Sequence, residues 1–232
     1  MRGEITIMPS IKEIWTMFVK WLKANPYVWI YPIYMTIYLI WFFTLNGVEY
    51  EVVHIIHSPI DDLIPFNEYF VFPYASWFLA LFFTPIVFMW MGKEDFLRLI
   101  FIMYVGMTIC LIVYMIYPTG LDLRRPLEHD NFASDMVALI RSKDVSRNVC
   151  PSIHCSTSTA IILCHWFSKR LSGKKPIYLV VKILVTIWMC SVIVSTLFVK
   201  QHSIIDIYWG VGLSIVLFLV SYVPALLKKR NA

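Results

Sequence analysis

Six apolar segments, most of them long enough to cross a lipid bilayer, dominate this sequence. They cover residues 27–45, 71–91, 99–117, 153–167, 177–197 and 205–225. Because a membrane-spanning helix takes about 20 apolar residues, the pattern predicts an all-α polytopic membrane protein. We expect a six-transmembrane-helix bundle that forms one domain over residues 1–232. The segment at 153–167 gives the weakest signal, since Ser and Thr crowd its first half.

The composition supports a membrane location. Asp, Glu, Lys and Arg make up 15% of the 232 residues, against about 25% in soluble domains. Thirteen Lys and Arg lie on one predicted side of the membrane and six on the other. Because basic residues concentrate in cytoplasmic loops, we predict an integral plasma membrane protein with both termini cytoplasmic. The net charge of +5 reflects this asymmetry and does not indicate nucleic-acid binding.

Residues 10–24 form an amphipathic segment before the first apolar run. Ser10 and Glu13 have the spacing of a capping box, in which each side chain binds the other residue's backbone N–H. Apolar residues then recur at helical spacing, with the lysines elsewhere on the helix. We expect a helix lying in the inner membrane interface. The alternative is a helix packed on the bundle, as in soluble proteins.

Polar side chains collect in three clusters, each at the outer end of a predicted span. An ionisable group at membrane depth is costly unless it is paired, so such a group is a functional candidate. The first cluster, YPTGLDLRRP at residues 117–126, contains Arg124 and Arg125. Arginine offers a rigid fork of donors that matches phosphate oxygens. Two solvated loop arginines are the alternative interpretation.

The second cluster, CPSIHCSTS at residues 150–158, leads into the fourth apolar segment. Pro151 and Ser152 suit a helix start. The first backbone N–H groups of a helix are unpaired and can bind an anion. His154 would lie in this first turn. A Ser- and Thr-rich cap with an interfacial histidine is the alternative.

The third cluster, STLFVKQHSIID at residues 195–206, precedes the last apolar segment. If the stretch from His202 to Asp206 is helical, the two side chains share one face. The carboxylate can then keep one imidazole nitrogen protonated and leave the other free as a nucleophile. Ser195 and Lys200 lie on the approach to this pair. A structural His–Asp hydrogen bond between helices is the alternative.

Because all three clusters lie on the same predicted side of the membrane, we expect their side chains to meet in one pocket. It would combine cations, a helix N-terminus, two histidines and an aspartate. Cations and N–H groups neutralise phosphoryl oxygens, while one imidazole attacks and the other protonates the leaving oxygen. This chemistry needs no metal and no cofactor. His54, His57, Asp61 and Asp62 could hold a divalent metal in the first outer loop, but a polar loop is the favoured interpretation.

The motifs resemble the type-2 phosphatidic acid phosphatase superfamily of membrane lipid phosphatases. Arg-Pro, Pro-Ser-x-His and Ser-x6-His-x3-Asp follow one another between residues 117 and 206. The segment HSPIDDLIPFNEYFVFPY at 57–74 is similar to one in bacterial members. The resemblance implies a six-span helical bundle with the site near one membrane face.

The resemblance also implies roles for individual residues. His202 would be the nucleophile that forms a phosphohistidine, with Asp206 as its orienting partner. His154 would be the general acid for the leaving group. The implied phosphate ligands are Arg125, Ser152, the amides near Ile153 and His154, and Ser195.

Three positions depart from the family pattern. Pro118 stands where the first motif has Lys, Thr196 where the third has Arg, and Ile153 where the second has Gly. Two phosphate-binding cations are therefore missing, and we infer that Lys200 and Arg124 replace them. Such looser motifs resemble the branch of inositolphosphorylceramide and sphingomyelin synthases, which pass a phosphorylated headgroup to another alcohol.

The sequence thus predicts an enzyme that hydrolyses a lipid phosphomonoester at the outer membrane face. The expected substrate is a membrane lipid of the phosphatidic acid, phosphatidylglycerol phosphate or polyprenyl phosphate type, which enters sideways from the bilayer. One alternative is a headgroup transferase with the same covalent step. Another is a transporter or non-enzymatic scaffold, which is disfavoured because transporters bind near the bilayer midplane. The sequence predicts no oligomeric state.

Overall fold

The protein is built almost entirely of helices. A computed structural model describes residues 10–48, 54–144 and 146–230, from residue 224 onward by the backbone alone. Its α-helices are α1 (Ile11–Ala24), α2 (Ile30–Gly47), α3 (Pro59–Leu63), α4 (Val71–Met91), α5 (Lys93–Ile116), α6 (Phe132–Lys143), α7 (Ile153–Trp166), α8 (Pro176–Phe198) and α9 (Ile204–Arg230). Two 3-10 turns, Pro26–Trp29 and Glu68–Phe70, lead into α2 and α4, and the short strands β1 (His54–Ile55) and β2 (Thr119–Gly120) pair in parallel. The predicted all-α class is confirmed.

Five helical segments of the described chain are long and apolar enough to cross a membrane. They are residues 26–47, 68–91, 93–116, 176–198 and 204–223. These segments correspond to five of the six predicted spans. The remaining helix, α7, has 14 residues and is about 21 Å long, which is shorter than the hydrocarbon core of about 30 Å.

The short helix α7 occupies the centre of the bundle, against α5, α8 and α9. Its residues 153–161 are all buried. The hydroxyl groups that weaken its apolar signal bond inside the protein: Thr157 Oγ1 accepts from Trp77 Nε1 at 2.7 Å, and the Oγ atoms of Ser156 and Ser214 are 2.9 Å apart. Because protein surrounds the first half of α7, this part of the helix carries buried polar side chains instead of a lipid-facing surface.

Helix α9 crosses the start of α7 at short range because Gly210 has no side chain. A Cβ atom at residue 210 would lie 2.5 Å from the carbonyl oxygen of Ser152. One turn earlier in α9, the carbonyl oxygen of Asp206 accepts a 3.2 Å hydrogen bond from the N–H of Ser152. This close crossing joins the second and third sequence clusters.

The connecting segments gather at two opposite ends of the bundle. At one end, which we call the site end, segments 54–63, 117–127, 146–152 and 199–203 meet. The pairing of β1 with β2 and the 2.7 Å hydrogen bond from Asn148 N–H to Thr119 O are examples. At the opposite end, the α5 residue Asp95 binds the segment that follows α7. The sequence predicts that the site end faces outward.

Helix α1 begins at the predicted capping box of Ser10 and Glu13, and its Trp21 stacks on Trp90 at 4.6 Å. Its location in a membrane interface stays a prediction. Residues 1–9 and 231–232, for which a cytoplasmic location is predicted, lie outside the described residues.

Candidate functional site

The two histidines selected from the sequence lie side by side. His202 Nε2 is 3.4 Å from His154 Nδ1, and the two ring planes meet at 62°. His202 belongs to the turn between α8 and α9, and His154 to the first turn of α7. Their exposed fractions are 6% and 7%. Two clusters that are distant in sequence therefore form one buried site.

The carboxylate of Asp206 orients the imidazole of His202. Asp206 Oδ2 is 3.2 Å from His202 Nδ1 and accepts a 2.9 Å hydrogen bond from the N–H of Ser203. Asp206 is fully buried. With the Nδ1 proton of His202 directed at this carboxylate, Nε2 is the nitrogen with a free lone pair. That nitrogen faces His154.

A tight turn after α8 presents His202 to the site. Lys200 has a φ of +58°, in the left-handed region that residues with side chains rarely adopt. The N–H groups of Gln201 and His202 both donate to the carbonyl oxygen of Thr196, at 3.0 and 3.2 Å. The backbone of this turn is therefore fixed before α9 begins.

The start of α7 offers hydrogen-bond donors at the same place. Ser152 caps the helix, and its Oγ accepts from the N–H of Cys155 at 3.3 Å. Among the described residues, the N–H groups of Ile153 and His154 have no hydrogen-bond partner. The first N–H groups of a helix carry partial positive charge and can bind an anion. This anion would lie next to the two imidazoles.

A cavity with about 840 Å³ of empty space, part of it open to the outside, reaches the two histidines. Its polar end is formed by the histidines, by Gln201 and by residues of the segment 143–149. Its apolar end, which we call the slot, lies between α2 and α4 and is lined by Tyr38, Leu39, Phe42, Phe43, Trp77, Phe78, Leu81 and Phe82.

The slot opens sideways. Phe43 and Phe78 line it and are also 57% and 47% exposed on the outside of the bundle. Towards the opposite end of the molecule, the hydroxyl of Tyr31 donates to the carbonyl oxygen of Phe82 at 2.9 Å and closes the gap between α2 and α4. The cavity is therefore polar at the histidines and apolar towards the side of the bundle.

Three charged residues of the cavity wall were missed in the sequence. Lys143, Asp144 and Arg147 line the polar end. Lys143 ends α6, and Asp144 and Arg147 follow it in a polar stretch without a recognisable motif. Their only sequence signal is their position just before the second cluster.

The carboxyl group of Asp144 is held inside this wall. Its Oδ2 accepts a 3.1 Å hydrogen bond from the hydroxyl of Tyr74. Burial raises the pKa of Asp144 above its ordinary value, although His202, the Tyr74 hydrogen bond and Arg124 oppose the shift. A carboxyl group with a raised pKa binds its proton more readily in the folded protein.

Arg124 joins the first cluster to the third cluster and to the cavity wall. Its Nη2 donates to the carbonyl oxygen of Asp144 and to Oε1 of Gln201, the latter at 2.7 Å. Arg124 therefore fixes the cavity wall to the turn that carries His202. It does not line the cavity itself.

Four other predicted phosphate ligands also lie outside the cavity lining: Arg125, Lys200, Ser195 and Ser152. Arg125 is exposed. Lys200 Nζ donates to the backbone carbonyl oxygen of Asp61 at 2.6 Å, and Ser195 Oγ donates to that of Val192 at 2.6 Å. The predicted residues that the structure does bring together are His202, Asp206, His154, Ser152 and Ile153.

The first outer loop does not assemble the metal site considered as an alternative. The ring of His54 stacks on Tyr117 at 3.9 Å, whereas His57 Nε2 lies 3.1 Å from Asp62 Oδ2. The carboxylate of Asp61 is buried against other partners. Among the described residues, no group of three His, Cys, Asp or Glu side chains is arranged to hold a metal ion.

Comparisons with protein-family models, with curated proteins and with solved structures find no match for this chain. The resemblance to lipid phosphatases therefore rests on the short motifs, and the function has to be argued from the geometry of the site.

Proposed function

We propose that this protein is a membrane lipid phosphate phosphatase that acts through a phosphohistidine on His202. The observation that carries the proposal is the 3.4 Å approach of His202 Nε2 to His154 Nδ1, with Asp206 on the other nitrogen of His202. A nucleophile, an orienting carboxylate and a second imidazole are the groups that phosphoryl transfer through histidine requires. The motif resemblance supports the same assignment.

In the proposed cycle, a phosphoryl group binds between the two imidazoles and replaces their contact. His202 Nε2 attacks phosphorus, the bond from phosphorus to the lipid oxygen breaks, and protonated His154 gives its proton to that oxygen. Water then attacks the phosphohistidine and gives a proton to His154, and inorganic phosphate leaves. Asp206 stabilises the positive charge on His202 while the phosphohistidine exists.

The phosphoryl oxygens need positive partners during both steps. In this proposal the N–H groups of Ile153 and His154 bind them. Because Arg125 and Lys200 lie outside the cavity lining, we assign the additional positive charge to Lys143 and Arg147 in the cavity wall. This assignment replaces the substitution inferred from the sequence.

The slot supports a lipid as the substrate. An amphiphile with an apolar chain in the slot would place its headgroup at the histidines, and the chain could enter from the bilayer between α2 and α4. The proposal includes the predicted orientation, with the site end outward, the termini cytoplasmic and α1 in the inner interface. Helix α7 then acts as a sixth, protein-enclosed membrane segment.

A headgroup transferase is the second candidate. The observation that favours it is the environment of Thr196, which stands where the phosphatase motif has Arg. Thr196 is fully buried and its Oγ1 donates to the carbonyl oxygen of Ile193 at 2.7 Å, so this position gives the site no cation. In this reaction an alcohol attacks the phosphohistidine in place of water.

Purified protein tests both candidates with a panel of lipid phosphates, with and without alcohol acceptors. We expect the wild type to release phosphate and His202→Ala to release none. His129→Ala is the matched control, since His129 lies on an exposed loop and should be dispensable. A phosphodiester product in the presence of an acceptor selects transfer. Activity that persists in His202→Ala contradicts the proposed mechanism.

A further inference from the structure

One buried carboxylate fastens the first outer loop to the turn that carries His202. The side chain of Asp61, in α3, is 1% exposed. Its Oδ2 accepts from Ser203 Oγ at 2.6 Å and from the N–H of Ser58 at 2.8 Å. Its Oδ1 accepts from the N–H of Ile204 at 2.8 Å. Both carboxylate oxygens are therefore engaged, and two of the three donors adjoin His202.

The backbone of Asp61 makes a second attachment to the same turn. Its carbonyl oxygen accepts a 2.6 Å hydrogen bond from Lys200 Nζ. Asp61 thus holds the chain on both sides of His202, at Lys200 before it and at Ser203 and Ile204 after it. The carboxylate also faces the first turn of α9, where the helix dipole favours a negative charge.

Ser203 connects this attachment to the catalytic pair. Its hydroxyl donates to Asp61, and its N–H donates to Asp206 Oδ2 at 2.9 Å, the same oxygen that contacts His202 Nδ1. A shift of Ser203 would therefore move the carboxylate, the imidazole, or both. The path from Asp61 through Ser203 and Asp206 to the His202 imidazole contains three hydrogen-bonded contacts.

We propose that Asp61 is a positioning residue that fixes the line of attack of the His202 imidazole through Ser203. The proposal rests on the proposed function in taking His202 as the nucleophile, and it extends the site to the first outer loop, which none of the three motifs includes. Its physical basis is orientation: a nucleophile displaced by about 1 Å can lose about 100-fold in rate. Lys200, whose φ is positive, lies in the turn that Asp61 and the carbonyl oxygen of Thr196 hold together.

Asp61→Asn, with its neighbour Asp62→Asn as matched control, tests the positioning role. The Asp62 side chain is 52% exposed and pairs with His57. We expect Asp61→Asn to lower kcat about 10- to 100-fold while KM changes less than about twofold, because the substrate chain binds in the slot. Asp62→Asn should leave both constants unchanged. A wild-type kcat in Asp61→Asn overturns the proposal.

Ser203→Ala separates positioning from a general loss of folding. It removes one of the three hydrogen bonds to the Asp61 carboxylate and leaves those from Ile204 and Ser58. We expect a smaller loss of kcat than in Asp61→Asn, and in the double variant a loss smaller than the product of the two single losses, since both changes break the same contact. Losses that multiply fully contradict the path through Ser203.

Hydrogen–deuterium exchange gives a readout that does not depend on activity. In Asp61→Asn, the amides of residues 199–206 should exchange faster than in the wild type, whereas the α5 amides at the opposite end of the bundle should not. In Asp62→Asn, exchange at residues 199–206 should match the wild type. Unchanged exchange at 199–206 overturns the attachment itself. Faster exchange in a protein whose wild type processes no lipid phosphate supports the attachment and refutes the proposed function, so the two failures are distinguishable.

Discussion

His202 and His154 are neighbours with different surroundings, and this difference supports the chemical roles proposed for them. His202 has a carboxylate on one nitrogen. His154 instead packs its ring against Tyr74 and Trp77, at 4.7 and 4.1 Å between ring centroids, and its Nε2 has no hydrogen-bond partner among the described residues. An imidazole that donates its other N–H to a carboxylate is the better nucleophile, and the imidazole without such a partner remains for the proton transfer to the leaving oxygen.

The proposed role of His154 as general acid predicts that the loss of activity in His154→Ala depends on the leaving group of the substrate. We expect His154→Ala to lower kcat about 10²- to 10⁴-fold with an alkyl lipid phosphate. With an aryl phosphate ester of the same chain length, kcat should fall much less, because the leaving oxygen of that ester needs no proton. Steady-state kinetics with both substrates measure the difference. An equal loss for the two esters would assign His154 a role other than proton donation.

The pH dependence of folding stability tests the burial of Asp144 in the cavity wall. Burial raises its pKa in the folded protein, so the protonated group stabilises the fold at low pH, and this contribution is lost as the pH rises through the folded-state pKa. Asp144→Asn cannot ionise and should keep the hydrogen bond from Tyr74. We therefore expect its melting temperature in detergent to exceed that of the wild type at pH 7 to 8, and the gain to shrink towards pH 4.

The exposed Asp122 supplies the control for this measurement, and Asp122→Asn should show no comparable gain. A difference between Asp144→Asn and the wild type that is the same at every pH would mean that Asp144 is already ionised in the folded protein across this range.

Residues that belong to a local motif could be predicted from the sequence, whereas residues that act through contacts distant in sequence could not. The contact of His202 with Asp206 follows from four-residue spacing, although the helix begins only at Ile204. The pairing of Asp61 with Ser203 joins residues 142 positions apart. The neighbouring sequence distinguishes Asp61 from Asp62 only by the capping-box spacing to Ser58, which gives no indication of the contact with Ser203.

At the scale of elements, the crossing of α7 and α9 brings the two histidines together. The start of α7 carries His154, and α9 follows the turn that carries His202. The spacing between these helices depends on Gly210, where a Cβ would approach Ser152 O, Cys155 Cβ and Ser156 N within 2.5 to 3.2 Å. Backbone atoms cannot move aside as a flexible side chain does, so any larger residue pushes the helices apart.

Gly210→Ala should therefore damage both stability and catalysis. We expect a loss of about 1–3 kcal/mol of folding free energy from overpacking and about a 100-fold lower kcat from displaced histidines. Thermal unfolding in detergent and steady-state kinetics measure the two effects. Gly212→Ala is the control on the same helix, since a Cβ there meets nothing within 4 Å. A Gly210→Ala protein as active as Gly212→Ala would contradict the role of the crossing.

The long helices could be predicted because a run of apolar residues is a local signal. The positions of their ends were harder to predict. Helix α5 begins at Lys93, six residues before the predicted apolar start at 99, because its charged first turn is paired. Glu94 binds Arg98 at 2.6 Å, and Asp95 accepts from Ser168 Oγ at 2.6 Å. Hydropathy alone excludes such residues from a span, although the helix continues through them.

Helix α6 was missed although its sequence contains a start signal. The side chain of Asn131 accepts from the N–H of Ser134 at 3.0 Å. The buried residues Ala133 and Val137 are four positions apart and pack together in one apolar cluster. A helix of 12 residues at the surface of a membrane bundle has too few apolar residues to stand out beside spans of 20 or more.

At the scale of the whole molecule, the cavity combines a charged end with an apolar slot, and a water-soluble substrate would not need the slot. Its charged end adjoins the histidines, and its slot faces the side of the bundle between α2 and α4. The five helical segments of the described chain that are long and apolar enough to cross a membrane are consistent with an integral membrane protein. The shape of the cavity therefore favours substrates that have an apolar chain.

Narrowing the slot should affect lipid substrates selectively. We expect Leu39→Trp to reduce kcat/KM at least about 10-fold for a long-chain lipid phosphate and to leave a short, water-soluble phosphate ester unaffected, since about 1.4 kcal/mol of lost transition-state binding is tenfold in rate. Ile37→Trp, at a position 55% exposed on the outside of α2, is the control. Equal losses for both substrates would place the lipid chain elsewhere.

The hydrogen bond from Tyr31 to Phe82, which closes the slot on one side, has a consequence for where the substrate comes from. In the proposed orientation, this bond lies on the cytoplasmic side of the opening, so a lipid chain would enter the slot from the outer leaflet. A lipid made on the cytoplasmic face must then cross the bilayer before this protein can act on it, so the rate of that transfer sets the supply of substrate.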